Sequence, residues 1–151
     1  MIRAATHADI PRMIDIGRVL HDSSPHFGKC AYSDAKVGAV IGLLIDAENG
    51  LAILAEHDGE IVGGMLATCV EQWYSDDLIA TDLSVFILPE KRGSLDAARM
   101  LRHYRNWAKE KGCRYALAGI STGIHTDQTE KLYQALGMEY VGPVLGWNLE
   151  D

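Results

Sequence analysis

The sequence predicts a single α/β (α+β) domain, with a mixed, mostly antiparallel central sheet of six to seven strands flanked by four helices. Three observations predict it. Residues 51–56 and 61–70 are apolar, strand-like runs joined by His57-Asp58-Gly59-Glu60, and Asp-Gly is a strong hairpin signal. Residues 80–108 read as a strand, a turn through Pro89, Glu90, Lys91, Arg92 and Gly93, and an amphipathic helix. A short apolar strand at 114–119 follows, so the unit is a βαβ crossover, expected to be right-handed with parallel strands.

Taken in order, residues 2–5 form a short first strand. Thr6 is a candidate cap, Asp9 lies three residues on, and Pro11 suits a first helical turn. Ile10, Met13, Ile14, Ile16, Gly17 and Leu20 share one face of that helix. Residues 21–29 are turn-rich and read as a loop. Ser33 caps a second helix whose apolar stripe is Val37, Val40, Ile41, Leu44 and Ile45, stopped by Glu48-Asn49-Gly50. In the returning hairpin strand, Gly63 and Gly64 mark a bulge or a close backbone approach. Residues 71–77 read as a polar-aromatic loop and 78–88 as the strand before the turn. Ala97, Ala98, Leu101, Tyr104, Arg105 and Ala108 line one face of the third helix, which Gly112 stops. After a loop at 120–127, a fourth helix spans 126–136 and ends at Gly137. Residues 138–141 and 144–148 are expected to pair as two closing strands around Gly142-Pro143.

A length of 151 residues suits one domain. Such a chain buries roughly 70% of its unfolded surface, so no staple is needed. Cys30, Cys69 and Cys113 are far apart and form no C-x-x-C pair, which indicates neither a metal site nor a disulfide framework and fits reduced cysteines in the cytoplasm. No run approaches the ~20 apolar residues of a membrane span, and the start of the chain is not a signal peptide. A formal charge of −7 argues against a nucleic-acid partner. The sequence has no G-x-x-x-x-G-K-[ST] and no G-x-G-x-x-G, which weakens a nucleotide-binding regulator.

The strand, basic turn and helix start around Arg92 make an anion site on physical grounds alone. The first N–H groups of a helix lack internal partners, and the dipole adds positive potential there. Two motifs carry a resemblance. Ile87-Leu88-Pro89-Glu90-Lys91-Arg92-Gly93 resembles the V-x-P-E-x-R-G of the GNAT superfamily of acyl-CoA-dependent N-acetyltransferases, and Lys131-Leu132-Tyr133-Gln134-Ala135-Leu136-Gly137-Met138 resembles its L-Y-x-x-L-G-F. The element order agrees over nearly the whole chain.

The resemblance implies a GNAT-like fold and acetyl-CoA as co-substrate, with no metal. It implies that Val85, Phe86 and Ile87 pair with the pantetheine arm like an added strand. It implies that the amides of Gly93, Ser94, Leu95, Asp96, Ala97 and Ala98 hold the phosphates, with Arg92 and Lys91 adding charge. Tyr133 is the implied general acid to the leaving thiolate. Asp82 and Glu71 are the candidate bases, with His125 a third, and a base must first reach the proton it takes. The sequence departs from the family pattern in two respects. Leu95 stands where R/Q-x-x-G-x-G/A has its first glycine, and Asp96 brings a negative charge toward the phosphates. Thr126 and Thr129 stand where the family often has Asn-x-x-Ala.

Trp73, Tyr74, Tyr32 and Phe27 lie in the two segments expected to wall the acceptor side. The expected reaction moves an acetyl group to a primary amine of a small molecule or peptide. The rival is a non-catalytic acyl-CoA-binding or interaction module on the same scaffold, motivated by Leu95 and Asp96 and by the choice of base that the sequence leaves open. A symmetric homodimer is the expected oligomer, although no residue demands one.

Overall fold

The computed structural model describes residues 1–149. Its order is β1 (Ile2–Ala4), α1 (Ile10–Ser23), α2 (Asp34–Asp46), β2 (Gly50–His57), β3 (Glu60–Gln72), β4 (Ser75–Ile87), α3 (Asp96–Glu110), β5 (Tyr115–Leu117) and α4 (Thr126–Ala135). Short 3-10 turns precede α1, α2 and α3. The strands lie in sequence order, antiparallel from β1 to β4, with β5 added parallel to β4.

Both faces of the sheet are covered, and β2 shows why its sequence is a continuous apolar run. Leu51, Ile53 and Ala55 pack with Met100, Leu101 and Tyr104 of α3 and Tyr133 of α4. The alternate residues Ala52 and Leu54 pack with Met13, Ile16 and Leu20 of α1 and Ile41 and Leu44 of α2. Strand alternation then leaves no face for water. At the N-terminus, Arg3 holds Asp9 through two 2.9 Å bonds and Glu56 through a 2.6 Å bond, fixing the start of the chain against the end of β2.

The anticipated glycine feature is real. A Cβ on Gly63 would sit 2.5 Å from the Phe86 carbonyl oxygen, so β3 and β4 approach closely there. The 71–77 loop is shorter than expected. Glu71 pairs with Leu78 and Gln72 with Ser75, which extends the hairpin and leaves Trp73-Tyr74 as its tip.

The two closing strands do not form among the described residues, so the sheet has five strands. Residues 138–149 carry no regular structure, and Val144, Leu145 and Trp147 are about nine-tenths exposed, at 93%, 89% and 92%. A hairpin holds only when one face is buried against something, and these side chains meet no such surface. Among the described residues no helix is long and apolar enough to cross a membrane.

Candidate active site

β4 and β5 run together for three rungs and then part. Ile79, Ala80 and Thr81 pair with Tyr115, Ala116 and Leu117. At the next position the Asp82 side chain replaces a rung: its Oδ1 accepts the Gly119 amide at 2.9 Å. Leu83 is then an extra residue in β4, because Asp82 faces Ala67 and Ser84 faces Leu66. Such a bulge bends its strand. The strand continues as Val85, Phe86 and Ile87 against Met65, Gly64 and Gly63, with no neighbouring strand on its other side among the described residues.

Alternation decides which backbone groups face the opening. The Leu88 amide donates to the Val62 carbonyl at 2.9 Å, toward β3. Phe86 therefore shares that side, and Val85 and Ile87 present their N–H and C=O groups to the opening. The Ile87 oxygen accepts from Arg92 Nε at 3.4 Å, and the Arg92 guanidinium lies 5.9 Å from the Phe86 ring centre.

A cavity of about 530 Å³ fills the opening. Val85, Phe86 and Ile87 form one wall, Arg92, Gly93, Ser94 and Ala97 one end, and Gly119, His125, Thr129 and Tyr133 the far side. Gly93 has φ +86°, a left-handed value that glycine takes without strain. Among the described residues, the amides of Gly93, Ser94, Leu95, Ala97 and Ala98 donate to no protein group, and that of Asp96 meets only Ser94 Oγ at 3.4 Å. Unpartnered amides at a helix N-terminus, beside an arginine, are a site for an anion.

Two expectations about this loop change. Leu95 does not occlude it; the residue is 64% exposed and does not line the cavity. Asp96 does not set its charge against an anion. Its side chain is fully buried and turned back to His57 Nε2 at 2.7 Å, Ser94 Oγ at 2.8 Å and Arg99 at 3.4 Å. Burial alone would raise its pKa, but the Ser94 bond and the His57 and Arg99 partners outweigh it and hold the carboxyl below the usual value. The Ala98 side chain packs in the core and Lys91 stays outside the cavity wall.

Tyr133 is 7% exposed and lies in the core on the α3/α4 face, with its ring at the cavity. Its hydroxyl makes no hydrogen bond within the described residues. Burial, with Asp82 second, raises its pKa further above that of a free phenol. Asp82 lies on the same face. Its carboxyl is pushed up by burial, against the opposing pull of the Gly119 amide. Glu71 is not brought to the site. It is exposed and opposite Leu78, six residues along β3 from the Met65–Val85 pair, or about 20 Å away at strand rise. That separation removes it as a base. His125 lines the cavity with φ +47°.

The aromatic wall divides. Phe27 and Tyr32 line a second cavity, on the α1/α2 face, while Trp73 and Tyr74 sit at the hairpin tip, 93% and 64% exposed, and line neither. Sequence reasoning missed His57, Gly119 and Thr129. His57 and Gly119 reach the site through contacts distant in sequence, with Asp96 and Asp82, whereas Thr129 stands one helical turn before Tyr133 on α4, a spacing the sequence already held.

A parallel pair that splays beside a helix N-terminus, with a buried phenol and a half-buried carboxyl on one face, defines a transferase-type cleft for an extended, phosphate-bearing donor. The chain belongs to the acetyltransferase (GNAT) family, whose sequence profile matches residues 16–138. It is thus an acetyl-CoA-dependent acyltransferase with the expected fold. Among solved structures it is similar to aminoglycoside N-acetyltransferase AAC(6')-Iy in complex with CoA, at 20% identity and TM-score 0.79, covering 98% of this chain and 93% of that one. It is also similar to a putative acetyltransferase from Agrobacterium tumefaciens str. C58, at 21% identity and TM-score 0.72, covering 100% and 99%. A transcriptional regulator from Bacillus halodurans C-125 shares 20% identity at TM-score 0.79, covering 99% of each chain. At these identities the likeness is one of fold. No curated protein is similar enough in sequence to match.

Proposed function

We propose that this chain moves the acetyl group of acetyl-CoA to a primary amine, of a small molecule before a peptide, by direct attack on the thioester. The observation that carries the reading is the alignment of three features along one cavity: free amides after Arg92, free backbone groups on Val85, and the Tyr133 ring. The diphosphate sits on the amides of the 93–98 turn, the pantetheine arm pairs with Val85, and the thioester lies toward Tyr133. Asp82, directly or through a water, takes the proton of the attacking amine. The amine lone pair forms the C–N bond, the C–S bond breaks, and the sulfur takes the Tyr133 proton. The three cysteines are free, which fits a reducing cytoplasm. A small-molecule amine is also what the bisubstrate analogue bound to AAC(6')-Iy carries, a monomethyl-acetylneamine. The non-catalytic reading loses the half of its motive that rested on Leu95 and Asp96, which leave the amides bare; the other half, the base, is what Asp82→Asn tests.

Two measurements test the assignment of roles. Arg92→Ala should raise the acetyl-CoA KM about tenfold and leave kcat within about twofold, as expected for lost ground-state binding of an anion. A fall in kcat at unchanged KM would reverse the roles of Arg92 and Tyr133. Asp82→Asn keeps an oxygen for the Gly119 amide but removes the base, and should lower kcat/KM about 10²-fold. In the unaltered enzyme the base works only when ionised. Because the folded carboxyl is raised, kcat/KM should fall with decreasing pH at a value above the ordinary 3.8 of Asp, and the Asn variant should lose that limb. A low-pH limb that survives Asp82→Asn would place the base elsewhere, with His125, which lines the cavity where Asp82 stands behind Gly119, the next candidate.

A further inference from the structure

The second cavity, about 320 Å³, lies across the sheet from the first, between α1, α2 and the middle of β3 and β4. Leu20 and Phe86 line both cavities, so the two meet at the bent segment of β4. Its wall is almost wholly apolar. The Tyr32 hydroxyl is spent on the Ile14 carbonyl at 2.8 Å. No carboxylate lines it, and its single charged lining residue is Lys36, exposed and without an ion pair among the described residues.

We propose, resting on the acetyl-transfer reading above, that this cavity holds the non-reacting part of the acceptor, and that the acceptor is therefore a primary amine on an apolar group. The charge balance of the cavity excludes the opposite class. A polycation entering here would lose its water, find no anion and meet the Lys36 ammonium, and an unpaired buried charge is costly. An aryl or alkyl group instead gains from every square ångström it buries against Val37, Val40 and Leu83. The volume suits one ring with a short chain, at the small end of ligand cavities. The net charge of −7 does not bear on this wall, because none of the acidic residues stands in it.

The test compares 2-phenylethylamine and hexylamine with neamine and spermidine, in the wild type and in Val37→Trp, which fills the cavity from α2. Acetyl-CoA binding is followed by calorimetry and thiol release by absorbance. The expected result is kcat/KM for 2-phenylethylamine at least about tenfold above that for neamine, and a further loss of about tenfold in Val37→Trp with the acetyl-CoA KM within about twofold. If Val37→Trp melts early, Val40→Phe takes its place with the same expectation. Equal or better use of neamine overturns the inference. So does a Val37→Trp enzyme that keeps its amine kinetics but loses hexanoyl-CoA, since the cavity would then serve the acyl chain. Thiol release on spermidine alone sinks this inference and leaves the acetyl-transfer reading standing. Absence of both acetyl-CoA binding and thiol release sinks both.

Discussion

Tyr133→Phe is expected to lower kcat by about 10²–10³-fold while the acetyl-CoA KM stays within about twofold, the range for loss of a positioned general acid. The substitution removes one oxygen from a side chain that is otherwise packed in the core. That oxygen makes no hydrogen bond within the described residues, so the fold loses no partner and the melting temperature should hold. Burial and the nearby Asp82 carboxyl keep the phenol protonated well beyond neutral pH. It can therefore give a proton to a leaving thiolate and not lose it to solvent first. A Phe variant with kcat near wild type would show that the thiolate leaves unaided. A drop in melting temperature without a kinetic effect would make Tyr133 a packing residue only.

Asp96→Ala is expected to destabilise the fold by about 2 kcal/mol, because it removes the charged acceptor that ties Ser94, His57 and Arg99 together, while the half-exposed His57 and Arg99 regain water. For a chain this size that is a fall in melting temperature of about 4–8 °C. The carboxyl joins the start of α3 to the end of β2 through His57 and holds Ser94 and Arg99 in the same cluster. Its loss should also loosen the 93–98 turn and raise the acetyl-CoA KM. His57→Ala should cost less, since Ser94 and Arg99 remain. The folded carboxyl is depressed below its ordinary 3.8. Its contribution is therefore complete above the unfolded value and fades as pH falls through the folded one. Melting curves of the two proteins should converge in acid and stay apart at neutral pH. A constant difference down to strong acid would mean that the carboxylate's charge contributes nothing.

Much of the architecture was legible because it is local. The apolar stripe Val37, Val40, Ile41, Leu44 and Ile45 made α2 readable. Asp58-Gly59 made the β2–β3 hairpin readable, and Pro89 to Gly93 marked the turn before α3. Each rests on contacts within a few residues, so the pattern is present in the sequence itself. The closing strands at 138–148 misled because a period-two apolar pattern says that a segment could pair, not that an edge is there to receive it.

The site divides along the same line. Sequence alone determined that an arginine and a run of uncapped amides would meet at a helix start, and that a tyrosine helix would follow one strand later. Only the tertiary structure decided that Asp96 turns inward to His57, that Leu95 stays exposed, that Glu71 is stranded at the far end of a hairpin, and that Asp82 and Tyr133 share a face. Side-chain direction at those positions is set by a bulge at Leu83 and by partners some forty residues away. Spacing along a chain records distances between neighbours; it does not record which way a strand bends once another strand lies against it.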